Sequence, residues 1–134
     1  MFDWNNPPAV GGIVTLDGGG FRDPRGSIQN LLEVPCGTVA LIKSKPNAVR
    51  SNHFHRTDSH LLFTIEGHWL YQECAVGENL NEAERIPVHN NETIWTPPMR
   101  LHRCTFVTPT TLISFSKLKR THAEHEADLV RVVT

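Results

Sequence analysis

The sequence is short of several things. Its 134 residues include three cysteines, one tyrosine and only 4 lysines, and acidic and basic side chains nearly cancel, 14 against 13. Cys36, Cys74 and Cys104 are odd in number, lie far apart and form no C-x-x-C pair. That excludes a zinc ribbon or a thioredoxin-type motif and leaves three reduced thiols, whose ordinary role is small apolar filler. The charge balance lacks the basic surplus that nucleic acid would require. No apolar run approaches the ~20 residues of a membrane helix. Residues 1–12 carry no basic stretch followed by an apolar one, so no secretory signal and no membrane partner are expected, and a cytoplasmic setting is. With 39% hydrophobic and 20% charged residues the composition is that of a globular chain. The length suits a single domain over 1–134.

What is abundant is histidine, 8 residues against those 4 lysines. Nine glycines and nine prolines break the chain into short β-rich runs at 13–16, 27–34, 39–44, 49–55, 61–65, 69–74, 93–96, 102–107 and 111–116. Turn signals separate them, at Gly18-Gly19-Gly20, Asp23-Pro24-Arg25-Gly26, Pro35-Cys36-Gly37, Glu66-Gly67 and Asn90-Asn91. Many short strands at this spacing predict an all-β sandwich or barrel. Residues 77–85 and 121–128 can each hold a turn or two of helix, 5–12 reads as an irregular lead-in, and 129–133 as a last strand. The run 61–65 is apolar on both faces apart from Thr64, so its outer face should also be covered, which a homodimer would achieve.

Half of the histidines fall in two segments. In His53-Phe54-His55-Arg56-Thr57-Asp58-Ser59-His60, the first two histidines are two apart and share a strand face. Four residues separate His55 from His60, a common hairpin length. A hairpin there would make those two direct cross-strand neighbours, with Cβ atoms about 4.5–5.5 Å apart. Some 40 residues on, Trp95-Thr96-Pro97-Pro98 stops one strand and His102 opens the next, with Cys104 on its face. Converging neutral imidazoles suit zinc, iron, nickel or copper, and three protein ligands with an open position is the usual catalytic arrangement.

These two segments resemble the two motifs of the cupin superfamily. The first motif, G-x5-H-x-H-x4-E-x6-G, spans about 47–67 and is matched by His53, His55 and Gly67, with His60 in the Glu slot and Asn47 in the first Gly slot. The second, G-x5-P-x-G-x2-H-x3-N, spans about 91–106 and is matched by Pro97 and His102, with Asn91, Met99 and Phe106 replacing the two glycines and the Asn. The resemblance implies a single-domain cupin, an antiparallel jelly-roll β-barrel of the RmlC-like type, and a homodimer. It also implies one divalent transition metal ion (Zn, Fe, Ni or Mn) on His53, His55 and His102, with His60 in the fourth slot. Asp58, two residues before His60, is placed to orient an imidazole N–H.

Smaller stretches narrow the resemblance. Asp23-Pro24-Arg25-Gly26 is similar to the D-x-R-G stretch of sugar-nucleotide epimerases and ketoisomerases with this fold, and Val49-Arg50-Ser51-Asn52-His53-Phe54-His55 to their V-R-G-x-H-x-H strand. In that group the histidines carry protons and need no metal, which makes His53, His55 and His60 catalytic in their own right. Histidine suits such a role because its pKa lies near neutrality. The resemblance implies a small-molecule substrate, a sugar nucleotide, whose diphosphate calls for arginine. Arg22, Arg25 and Arg50 are the candidates for it, Arg50 or Arg100 could stabilise a developing enolate, and Tyr71, which shares a strand face with Trp69, can either stack on a sugar or base or belong to the core or a dimer contact. Two other readings remain open, a mononuclear metal dioxygenase or lyase acting on a small chelating substrate, and a non-catalytic sugar-binding module. His68, His89, His122 and His125 lie outside both motifs and read as surface residues, as does the cationic run 117–120.

Overall fold

Most successive strands of this chain cross from one sheet to another instead of folding back as hairpins. The computed structural model describes residues 2–15 and 20–132, so the ends of the expected strands 13–16 and 129–133 and most of the Gly18–Gly20 turn lie outside the described residues. The strands are β1 (Gly12–Val14), β2 (Gly20–Asp23), β3 (Gly26–Gln29), β4 (Thr38–Ser44), β5 (Val49–His55), β6 (His60–Glu66), β7 (Trp69–Ala75), β8 (Ile86–Val88), β9 (Thr93–Thr96), β10 (Arg100–Phe106), β11 (Thr110–Ser116) and β12 (Leu129–Arg131). A 3₁₀ turn at Leu80–Glu82 and a short helix α1 (His122–Asp128) complete the set. Thr121 caps α1 by accepting a hydrogen bond from the Glu124 N–H.

One sheet has the order β1-β9-β6-β11-β4, the other β12-β5-β10-β7-β8, and β2 with β3 forms a separate ribbon. All pairings are antiparallel. From β4 to β7 the chain alternates strictly between the two five-stranded sheets, and it does so again from β9 to β12. The fold is therefore all-β and of jelly-roll type, as expected, but built as a two-sheet sandwich and not as a closed barrel. Leu62, Ile94 and Leu112 of the first sheet meet Trp69, Tyr71, Val88, Cys104 and Phe106 of the second in the central core. On β10 the period-2 spacing of Cys104 and Phe106 places both in that core, and β11 contributes Leu112.

Two expectations change here. The 56–59 segment is a corner between sheets and not a hairpin turn, because β5 pairs with β10 and β12 while β6 pairs with β9 and β11. The outer face of β6 is covered by the chain itself at Leu61 and Phe63. Phe2 and Trp4 pack with Leu61, Phe63, Trp95 and Phe115, and Leu31, Leu32 and Val34 lie against them. Trp4 donates its indole N–H to the Pro35 carbonyl, and Trp95 donates its own to that of Pro8, which pins the lead-in segment across the sheet. Farther along the same face Ile65 of β6 and Val39 and Leu41 of β4 stay exposed. The expected strand 27–34 is strand only to Gln29, and its remainder serves this cover.

Candidate active site

Three strands deliver the four motif histidines to one place between the sheets. His53 and His55 project from the same face of β5, and His102 of β10 is the registered partner of His53. His60 opens β6, in the opposite sheet. Ring centroids are 4.8 Å apart for His53 and His55, 4.7 Å for His53 and His102, 5.6 Å for His55 and His60, and 5.5 Å for His60 and His102. His55 and His60 thus do meet, across the interior and not side by side in a hairpin. His55, His60 and His102 are buried and His53 is half-buried.

A bulge shapes the wall beside them. The register of β10 on β5 runs His102 to His53 and then Arg103 to Ser51, which leaves Asn52 as an extra residue. Ser51 and Asn52 both take positive φ, 79° and 58°. The insertion shifts parity along β5, so Arg50, three residues from His53, shares its face and pairs with Cys104. A cavity of ≈ 200 Å³ opens here. Its wall includes Arg50, His53, His60, Ser114, Arg120 and His125, with Ile42, Leu62, Phe106 and Leu112 at an apolar side. In that wall His60 Nε2 and Ser114 Oγ are buried without a hydrogen-bond partner.

Arg120 is the residue that sequence reasoning missed. Its Nη2 lies 3.3 Å from His55 Nε2 and 3.3 Å from His60 Nδ1, and its Nε donates to Asp58 Oδ2 at 3.1 Å. Asp58 is buried and also accepts from the Ser59 and Leu118 N–H groups. It therefore holds Arg120 and not an imidazole, which corrects the role expected for it. The carboxylate beside an imidazole is that of Asp128, whose Oδ2 lies 3.4 Å from His55 Nδ1. Asp128 is itself fixed by Thr57 and by the Asp58 N–H. His125, read from the sequence as a surface residue, has its ring 5.6 Å from that of His55.

The other candidates divide. Tyr71 is completely buried and donates its hydroxyl to Glu73 at 2.6 Å, so its ring belongs to the core and has no face for a substrate. Arg100 is held by Glu73 at 2.9 Å, in a network that also receives the Gly11 N–H. Arg50 reaches the cavity wall but spends its donors on Ser44 Oγ and the Lys43 carbonyl. Arg25 is exposed and paired with Asp23. Arg22 and Arg25 are not part of the cavity wall. His68 and His89 stack on one another with centroids 4.5 Å apart, and neither lines the cavity. Cys104 lines the cavity as an inert thiol, pushed up to about 12 by burial.

Burial sets the protonation of the cluster. It depresses His53 to about 2, with the neighbouring His102 and His55 adding to it, and His55 to about 3, with His102 and Arg120 adding. His102 is lowered to about 4 by burial, and His60 well below its ordinary value for the same reason. All four are neutral at pH 7.

As to a metal, one ligand atom each from His53, His55 and His102 lies within 4.8 Å of the others, and His60 is outside that set. His102 contributes a bare Nε2, because its Nδ1 lies 3.1 Å from the Arg100 carbonyl and must donate to it. The donor set is right in kind for a transition ion. The Arg120 guanidinium against His55 Nε2 is not, since it faces the lone pair of one of the three ligands and adds a fixed positive charge. With Arg120 in this position the residues do not fit a bound cation.

No family model matches the chain, and no curated protein does. Solved structures match over nearly the whole length. A TDP-quinovose 3,4-ketoisomerase from Campylobacter jejuni superposes with a TM-score of 0.74 at 19% identity, over 93% of this chain and 95% of that one. A sugar 3,4-ketoisomerase from Thermoanaerobacterium thermosaccharolyticum, solved with TDP, gives 0.71 at 13% identity, over 91% and 88%. A dTDP-4-dehydrorhamnose 3,5-epimerase from Sulfolobus tokodaii gives 0.66 at 16%, over 91% and 81%. The chain has the cupin fold of the RmlC-like type.

Proposed function

We propose that this protein moves a proton beside the carbonyl of a keto sugar carried on a nucleoside diphosphate, as an isomerase or epimerase. The carrying observation is that His53 and His60, from opposite sheets, line one cavity of ≈ 200 Å³ together with Ser114 and Arg120. The cavity is the size of a sugar ring, not of a nucleotide. A second cleft of ≈ 580 Å³ shares Arg120 and His125 with it. Arg56, Lys119 and Arg120 bring three cations there, against Asp58 and Asp128, which are already hydrogen-bonded, and Glu124. The sugar would occupy the inner cavity and the diphosphate the outer cleft.

Burial penalises an imidazolium in the empty cavity. An enolate oxygen formed in the same step offsets that penalty, because the new positive and negative charges arise together at low dielectric. A neutral His53 is ready to take the proton, and Arg120 with His60 lies where the oxyanion needs donors. The solved neighbours support this reading through their fold and their TDP-sugar substrates.

The test is proton exchange. The protein is incubated in D₂O with TDP-4-keto-6-deoxyglucose, the ligand of one solved ketoisomerase, and the sugar is weighed by mass spectrometry. Deuterium uptake that His53→Gln abolishes is the expected result. Binding without uptake would make the protein a sugar-binding module, and neither binding nor uptake would overturn the reading altogether.

A further inference from the structure

Arg120 meets the ring nitrogens of two different histidines with a group that can only donate. A guanidinium has five N–H donors and no acceptor and does not lose its proton in proteins. At 3.3 Å from its Nη2, both His55 Nε2 and His60 Nδ1 must therefore accept. A neutral imidazole that accepts on one nitrogen carries its proton on the other. His55 then holds its proton on Nδ1, toward Asp128 Oδ2 at 3.4 Å. His60 holds its proton on Nε2, a buried atom without a hydrogen-bond partner. His102 is set independently by the Arg100 carbonyl, with its proton on Nδ1 and a bare Nε2.

The same contacts bear on metal binding. Among the described residues the convergent donor set is His53, His55 and His102. A cation on His55 would either take the Nε2 lone pair that Arg120 faces or, bound at Nδ1, leave a protonated Nε2 against that guanidinium, and it would sit a few ångströms from a charge held in place by buried Asp58. Like charges at that separation repel by several kcal/mol at an effective dielectric constant of about 20.

We propose that Arg120 is the resident cation of the histidine cluster: it occupies a nitrogen of His55, one of the three histidines a metal would need, keeps the cluster metal-free, and fixes His60 as a hydrogen-bond donor through Nε2. Arg120 is a positioning residue in this scheme. The inference stands beside the proton-transfer reading and not on it, since neither of its measurements uses a sugar nucleotide.

The first measurement is ¹⁵N NMR of the wild-type protein labelled at histidine, at pH 7.5. His60 should show an unprotonated Nδ1 and a protonated Nε2, and His55 the reverse. A protonated Nδ1 on His60 overturns the proposal. The second is titration with Co²⁺, read by its visible d–d absorption, on protein purified without a histidine tag. Arg120→Met should bind Co²⁺ at least about tenfold more tightly than wild type, a ratio equal to about 1.4 kcal/mol. Arg120→Lys, which keeps the charge, should stay as weak as wild type, and adding His102→Gln to Arg120→Met should remove the gain. Tight stoichiometric binding by the wild type, or no gain in Arg120→Met, overturns the proposal. If Arg120→Met does not fold, the wild-type tautomers decide alone.

Discussion

Asp58 Oδ2 accepts a hydrogen bond from Arg120 Nε at 3.1 Å, and this contact joins the corner between β5 and β6 to the segment that follows β11. The carboxylate is buried while the guanidinium is about one-fifth exposed. Asp58→Asn leaves a neutral oxygen beneath a positive charge. The expected cost is about 1–3 kcal/mol, less than for a fully buried pair because Arg120 reaches solvent. Urea unfolding of wild type and variant measures it, and a change under about 0.5 kcal/mol, the level of an ordinary surface substitution, would show the pair to be idle.

Acid should destabilise the protein through its histidines. His102 has a folded value near 4, below its ordinary value of 6.5, because burial penalises the imidazolium. The unfolded chain therefore takes up this proton first. The stabilisation is complete above about pH 6.5 and drains as pH falls toward 4, at up to ~1.4 kcal/mol per pH unit for each such histidine. His55, depressed to about 3, acts in the same direction over a window that extends lower. Thermal melts from pH 8 to pH 5 should show a steady fall in Tm below 6.5, shallower in His102→Gln. A flat profile would mean that the histidines are not buried as described.

Three non-glycine residues stand in cupin glycine slots, and all three have positive φ: Asn47 at 67°, Asn91 at 71° and Met99 at 59°. Asparagine tolerates this region, but methionine pays a backbone cost there of roughly 1–2 kcal/mol. Met99 is half exposed, so little packing is lost with its side chain. Met99→Gly should raise stability by about 0.5–1 kcal/mol after the entropy of glycine is set against the relieved strain. Gly67 is the opposite case. It has φ 129°, and a Cβ there would come within 2.8 Å of Thr110 backbone. Gly67→Ala should cost more than about 2 kcal/mol, since it adds both strain and overlap. Differential scanning calorimetry on the two variants should give Tm shifts of opposite sign; shifts of the same sign would refute the account.

The lead-in segment should be part of the fold. Trp4 contacts Phe2 and Trp95 with centroids 5.0 and 5.9 Å away, and it seals the outer face of β6 and β9. Trp4→Ala should cost about 3 kcal/mol and expose an apolar patch. Chemical denaturation together with binding of a hydrophobic dye checks both effects. Unchanged stability and no dye binding would mean that this face is covered by something else.

The sequence shows the fold through its motif spacing, because a jelly roll needs its turns at set positions and histidines spaced two apart share a face in any strand. The glycine slots are instructive. By residue type Asn47, Asn91 and Met99 look like departures from the motif, yet each keeps the backbone conformation that glycine serves. What could not be read was anything depending on which strands pair. A four-residue gap between His55 and His60 suits a hairpin and an inter-sheet corner equally, and only the tertiary pairing distinguishes them. Arg120 lies in a run with Lys117 and Lys119, with no local signal to separate it from them; its contacts come from residues 55, 58 and 60. Tyr71 is ambiguous for a related reason, since two aromatics on one strand face look the same whether that face meets the core, as it does here, or a ligand.

The alternation of strands between sheets also governs when the site can exist. β5, which bears His53 and His55, is paired on one side by β10 and on the other by β12, the last strand among the described residues. Until residues 129–131 arrive, the strand carrying half of the cluster is an open edge, able to pair with any other strand it meets. Contacts between positions so distant in sequence also form slowly. Premature termination before β12 should therefore yield aggregation in place of a weakened protein, and recovery of the histidine cluster should come late in folding, not early.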